Sequence, residues 1–153
     1  MKKSRVGGFT LIEILIVVVI MAVLAAVVIP QFSASTDDAK SSTAQFNLST
    51  LRSLVQTYRA QHRGALPKVD ATTNLLSELL KKTAANGTVD ANGAYGPYLA
   101  QFPENSYTGV NTVKATTKTS ITATDVTANN AGGWLYNETT GQAWLDSVPG
   151  YEQ

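Results

Sequence analysis

Gly8 to Pro30 reads GFTLIEILIVVVIMAVLAAVVIP, and this stretch decides the fold. Between Phe9 and Ile29 only Thr10 and Glu13 are clearly polar. At ~1.5 Å per residue those roughly 21 residues form a helix of about 31 Å, enough to cross a bilayer core of about 30 Å. In front of it, Met1 to Gly8 carries Lys2, Lys3 and Arg5, cations that keep a short N-terminus on the cytoplasmic side. Glu13 is the anomaly. A carboxylate at the centre of a membrane helix costs roughly 2.5–3.5 kcal/mol on insertion, so a compensating partner is expected for one placed about a turn inside.

Downstream, apolar side chains return at helical spacing. Ala44, Leu48, Leu51, Val55 and Tyr58 follow steps of about four and three, the seam of a helix with one buried face. Lys40, Gln45, Arg52, Gln56 and Arg59 fall largely off that seam. The helix is expected to close near His62-Arg63-Gly64, because Gly64 suits a helix end and Pro67 cannot continue one. Pro30 removes an amide donor and clashes with the turn before it. A kinked but continuous helix through Pro30 is expected, since the pattern restarts almost at once.

The leader, Gly8-Phe9, Glu13 and the apolar run up to Pro30 together resemble the start of type IV pilins and of their secretion-system relatives, the pseudopilins. The resemblance implies that a prepilin peptidase cuts after Gly8 and methylates the new terminal Phe9. It also implies that the stem packs with other stems in a filament, where Glu13 pairs with the amino group of Phe9 on a neighbouring subunit. The implied domains are a leader (1–8), a membrane or filament-core helix (9–29), an amphipathic stem helix (30–63) and a head (64–153). Two simpler readings compete. A secretory signal peptide cut after Val23-Leu24-Ala25 is at odds with Glu13 and with the length of the run. A plain uncleaved anchor leaves Glu13 without a reason.

In the head, Thr73 or Asn74 is expected to cap a helix over Leu75–Lys82. Tyr95-Gly96-Pro97-Tyr98-Leu99 and Phe102-Pro103-Glu104-Asn105 resemble the link between helix and sheet in major pseudopilins. Val110–Thr117 and Thr119–Thr127, rich in threonine and valine, read as exposed strands or a long loop. Trp134-Leu135-Tyr136 and Ala143-Trp144-Leu145 flank Asn137–Gly141, a hairpin signal. The fold class is therefore α+β: a long N-terminal membrane-spanning helix, continuing as an amphipathic stem, packed against a small C-terminal antiparallel β-sheet. Phe46, Leu48, Leu51, Val55, Tyr58, Trp134 and Trp144 are the expected contact between stem and sheet.

Composition narrows the function. The chain has 153 residues, with 12 Lys and Arg against 11 Asp and Glu, so it offers no basic patch for nucleic acid. It has no cysteine, hence no disulfide, thiolate metal site or thiol nucleophile. The single histidine, His62, has no acidic cluster nearby in sequence and reads as a polar residue near a helix end. Asp37 and Asp38 are adjacent, so they do not face each other on a helix as a catalytic pair would. Major pseudopilins of type II secretion often bind calcium in a C-terminal loop. Such a site gathers six to eight oxygens. Here only Asp146 and Glu152, with Asp125 far upstream, are at hand, so neither that site nor a cofactor is expected.

The functional expectation is a non-enzymatic structural subunit of an inner-membrane-assembled filament, a type II secretion pseudopilus, with the N-terminus cytoplasmic and the head periplasmic. Its expected partners are copies of itself, other pilin-like subunits, the prepilin peptidase, an assembly platform in the inner membrane and, before assembly, membrane lipid. The alternative is a type IV pilus pilin. A membrane-anchored periplasmic binding domain or enzyme is more distant, because no clustered polar site is visible.

Overall fold

The computed structural model describes residues 8–128, 131–148 and 150–152. The leader residues before Gly8 lie outside the described residues. The elements are α1 (Leu11–Gln61), α2 (Ser77–Leu80), β1 (Val113–Ala115), β2 (Trp134–Tyr136) and β3 (Ala143–Leu145), followed by a 3-10 turn at Gly150–Glu152. The chain divides between Ala39 and Lys40 into two compact units. The architecture is α+β and pilin-like: a long apolar N-terminal helix and a small three-stranded sheet.

In the N-terminal unit α1 carries its apolar side chains outward. Every large hydrophobic that the helix presents from Leu11 to Ile29 is between 43% and 84% exposed. Helix α1 runs through Pro30 without a break, so the expected continuity holds.

In the C-terminal unit the same helix buries its seam. Ala44, Leu48, Leu51, Val55 and Tyr58 join Leu76, Leu79, Phe102, Val113, Trp134, Tyr136, Ala143 and Leu145 in one core. Phe46 departs from expectation: it is 69% exposed. It lies two positions from both Ala44 and Leu48, and at 3.6 residues per turn that step points it away from their face. Trp144 is buried but stands outside this core, paired across the strands with Leu135. Alternation in β3 turns Ala143 and Leu145, rather than Trp144, toward α1.

The sheet has the order β1-β2-β3. The hairpin β2–β3 is antiparallel as expected, in the register Leu135 to Trp144, whereas β1 pairs with β2 in parallel, Val113 opposite Trp134. The sheet is therefore mixed rather than purely antiparallel. A parallel pair needs a long crossover, and the segment between β1 and β2 supplies it. Glycines make the return possible. A Cβ at Gly133 would lie 2.3 Å from the Thr112 carbonyl oxygen, and one at Gly132 would lie 2.1 Å from the Asp146 carboxylate. Thr119–Thr127 accordingly forms no strand.

The expected helix over Leu75–Lys82 shrinks to the single turn α2. Leu75 pairs with Asp70, and Thr83 pairs with both Val89 and Tyr95. The Leu79 carbonyl accepts both Tyr98 N and Leu99 N at 2.9 Å. Those long-range pairings pinch the helix at both ends. Neither Thr73 nor Asn74 caps it; the position before α2 is Leu76. Instead the Asp70 carboxylate gathers Thr72 N, Thr73 N and Ser77 Oγ.

Candidate functional site

The N-terminus of α1 is built from Gly8, Phe9, Thr10 and Glu13. Thr10 precedes the first helical residue, and Glu13 stands three positions on. Thr10 N and Thr10 Oγ1 donate to Glu13 Oε2 at 2.7 and 2.6 Å, and Glu13 N donates to Thr10 Oγ1 at 3.3 Å. This is a reciprocal capping box, which satisfies amides that the first helical turn leaves open. The T-x-x-E signal was present in the sequence and escaped its reading, which found no local reason for Glu13.

Among the described residues, nothing packs on the space beside Gly8 and little covers Phe9. A Cβ added to Gly8 would meet nothing within 4 Å, and Phe9 is 85% exposed. Among the described residues nothing in the packing demands glycine at that position. From Leu11 onward this helix is long and apolar enough to cross a membrane.

The C-terminal unit holds the remaining groups that could do chemistry. His62, one residue past α1, stands at the helix end as expected and is buried there, 2% exposed. Its Nδ1 lies 2.9 Å from the Tyr58 carbonyl oxygen and its Nε2 lies 2.9 Å from Thr83 Oγ1. A carbonyl only accepts, so Nδ1 carries the proton, and in the neutral ring Nε2 accepts from the Thr83 hydroxyl. The ring stacks on Tyr58 at 3.8 Å and meets Tyr95 edge-on at 5.1 Å. Burial, with the Glu78 charge adding to it, pushes the Tyr58 phenol up to about 12. The grouping is aromatic packing held by two hydrogen bonds. Asp37 and Asp38 are both exposed on α1.

Asp125 and Asp146, two of the three carboxylates considered for calcium, are both engaged by protein donors; the side chain of the third, Glu152, lies outside the described residues. Asp125 Oδ1 pairs with the Lys118 ammonium, and Asp125 Oδ2 accepts from Thr122 N at 2.9 Å and Thr122 Oγ1 at 2.8 Å. The Lys118 contact, followed by the Thr122 bonds, holds the Asp125 carboxyl down at about 2. Asp146 is 2% exposed; its Oδ1 accepts Thr127 N at 2.6 Å and its Oδ2 accepts Thr127 Oγ1 at 2.5 Å. No group of three or more His, Cys, Asp or Glu able to hold a metal occurs among the described residues. With a cation already seated on Asp125 and the oxygens of both acids committed, these residues do not fit a calcium site.

Other polar side chains brace the C-terminal unit, and the sequence did not single them out. Arg52 Nε and Nη2 donate to the Ala143 carbonyl at 3.1 and 2.9 Å, covering the outer edge of β3. Asn105, fully buried, donates through Nδ2 to Gly133 O at 2.9 Å and to Ser147 Oγ at 3.1 Å. Trp134 Nε1 donates to Pro103 O at 2.8 Å. The Phe102–Asn105 link is thus tied to the sheet.

Comparison with known proteins agrees with this anatomy. Residues 3–29 match the family model of the prokaryotic N-terminal methylation motif. Over 86 residues the chain is 36% identical to type II secretion system core protein G of Pseudomonas aeruginosa, covering 56% of this chain and 58% of that protein. Over 92 residues it is 33% identical to prepilin peptidase-dependent protein A of Clostridium perfringens, covering 60% and 59%. The chain therefore spans somewhat under three-fifths of the length of these relatives. No solved structure gives a significant match. Motif, relatives and α+β architecture together support the resemblance to the pilin-like proteins, the type IV pilins and pseudopilins.

Proposed function

We propose that the chain is the structural subunit of a filament assembled from the membrane, a pseudopilus of type II secretion. The observation that carries this reading is the outward display of apolar side chains by α1 between Leu11 and Ile29, interrupted by one carboxylate, Glu13. Such a surface needs an apolar surrounding, and lipid and a bundle of identical helices are two alternatives for it. A subunit that moves from one to the other can be pushed into and drawn from a growing filament. The likeness to core protein G of a type II secretion system favours the pseudopilus. The likeness to a prepilin peptidase-dependent protein supports the wider class, in which a type IV pilus pilin is the second reading.

Gly8 and Phe9 are assigned as the cleavage and methylation site. The open space around Gly8 supports this, because the need for a small residue there would come from the peptidase. Cleavage would make Phe9 the terminus, and its amino group would pair with Glu13 of a neighbouring subunit inside the bundle. Pro30 is the point at which the stem would bend. The leader cations favour a cytoplasmic N-terminus and a periplasmic C-terminal unit, with an assembly platform in the inner membrane as the site of polymerisation.

Intact mass of the protein extracted from membranes tests the assignment. The expected mass is that of a chain beginning at N-methylated Phe9, and Gly8→Leu should abolish the cut. A mature chain beginning after Ala25, or one that retains Met1, would overturn it. Dependence of the filament on a secretion ATPase and an outer-membrane secretin, rather than on a retraction motor, separates pseudopilus from pilus.

A further inference from the structure

The crossover between β1 and β2 contains no strand in Thr119–Thr127, yet the stretch from Lys118 to Thr127 is tied at both ends and across its middle. At its start Asn137 Nδ2 donates to the Lys118 carbonyl at 2.8 Å. At its far end Thr127 binds both oxygens of Asp146. Between these ties the Lys118 ammonium reaches across to Asp125, whose other oxygen holds Thr122. The two anchors sit at the opposite ends of the β2–β3 hairpin, since Asn137 follows β2 and Asp146 follows β3. Both are buried, at 1% and 2% exposure. The fixed ends bring Lys118 and Asp125 within reach of each other and lower the entropy lost when they pair.

A loop carrying carboxylates can be closed by a bound divalent cation or by a positive side chain of its own. Here Lys118 occupies Asp125 directly, and a second cation beside the ammonium would be repelled. Asp146 is answered by an amide and a hydroxyl, so it contributes no open oxygen either.

We propose that Lys118 serves as the loop's built-in cation, so that the C-terminal unit closes its crossover without calcium. This applies whether or not the chain forms filaments. The ion pair is surface-facing, with the Lys118 side chain 55% exposed. Its effect is therefore local: it governs how often the loop opens rather than whether the core folds.

The test is limited proteolysis of the full chain in detergent micelles, with cuts between residues 118 and 127 followed by mass spectrometry. The wild-type rate should be the same in excess EDTA and in millimolar calcium. Lys118→Met should be cut about two- to fivefold faster, the factor an exposed ion pair of ordinary strength gives. Lys118→Arg should behave as wild type, and Asp125→Asn combined with Lys118→Met should add nothing further. Protection of the wild-type loop by calcium, or unchanged cutting of Lys118→Met, would overturn the proposal. Should Lys118→Met lose the tryptophan fluorescence of the folded core, a salt series on the wild type decides. Raised ionic strength must speed loop cutting, and a flat response would overturn the proposal.

Discussion

Two stretches of one helix meet opposite fates. Val17 and Leu51 both belong to α1 and both are apolar, yet Val17 is 47% exposed and Leu51 is 1% exposed. Around Leu51 the chain supplies its own cover: Trp134, Tyr136, Ala143 and Leu145 from the sheet, with Leu76, Leu79 and Phe102 from the link. Around Val17 the described residues supply none. The difference lies in patterning. Residues 14–29 are apolar on all sides, a helix built to be surrounded, whereas residues 44–58 keep a single seam with polar neighbours. The C-terminal unit is covered by its own contacts; the apolar helix of the N-terminal unit is left uncovered by the described residues.

The largest expected effect comes from matching deletions in the two stretches. Leu51→Ala should destabilise the C-terminal unit by about 2–5 kcal/mol, read by chemical denaturation of the full chain in detergent. Val17→Ala should leave that transition unchanged. Equal losses would erase the distinction drawn between the stretches.

A smaller loss is expected from His62→Leu. It keeps the bulk but leaves the buried Thr83 hydroxyl without its partner on Nε2, a defect of about 1–3 kcal/mol. Thr83→Val in the same background should recover part of it, because the hydroxyl that lost its contact with the ring is then gone. An absence of any recovery would mean that the stacking on Tyr58, not the hydrogen bond, is what His62 contributes.

Phe46→Ser sharpens the comparison from the other side. Phe46 sits among buried positions along the sequence but is itself exposed, so the exchange should shift stability by no more than about 0.5 kcal/mol. A loss like that of Leu51→Ala would show Phe46 to be covered.

The smallest effect concerns acid. The fold favours the ionised form of Asp125, whose carboxyl is held at about 2 rather than the ordinary 3.8. Its contribution is therefore present above the ordinary value and is lost as pH falls toward about 2. Carboxyl NMR of the full chain should place the Asp125 midpoint near the lower figure, and Lys118→Met should raise it.

How much of this was legible in the sequence follows from how local each signal is. The apolar run and the 44–58 seam depend on residues within a few turns of one another, and both were read correctly. The hairpin was legible for the same reason: Asn137 Oδ1 accepts Thr139 N and Thr140 N within the turn, and Gly141 takes a φ of 77°. The parallel pairing of β1 was not legible, because it depends on Gly132 and Gly133 lying against Asp146 and Thr112, far away along the chain. The burial of His62 depends on Thr83 and Tyr95 in the same way. At the candidate site the residues Gly8, Phe9 and Glu13 stood out, but the capping box with Thr10 did not, although it is local. The carboxylate's membrane cost drew attention away from its backbone role.

That capping box makes the role of Glu13 testable in a single comparison. Glutamine can still accept from Thr10 N and keep the cap, but it carries no charge to offer an amino group. Glu13→Gln and Glu13→Ala should both insert, be cut after Gly8 and fold the C-terminal unit. In the bundle each would leave the neighbouring Phe9 amino group unpaired, a defect of about 3–5 kcal/mol per subunit in well-buried cases. The measurement is the yield of sheared filaments from cells holding equal amounts of processed wild-type, Glu13→Gln and Glu13→Ala protein. Loss of filaments in both variants is the predicted result; wild-type yield from Glu13→Gln would show Glu13 to be a helix cap and contradict the proposed pairing between subunits.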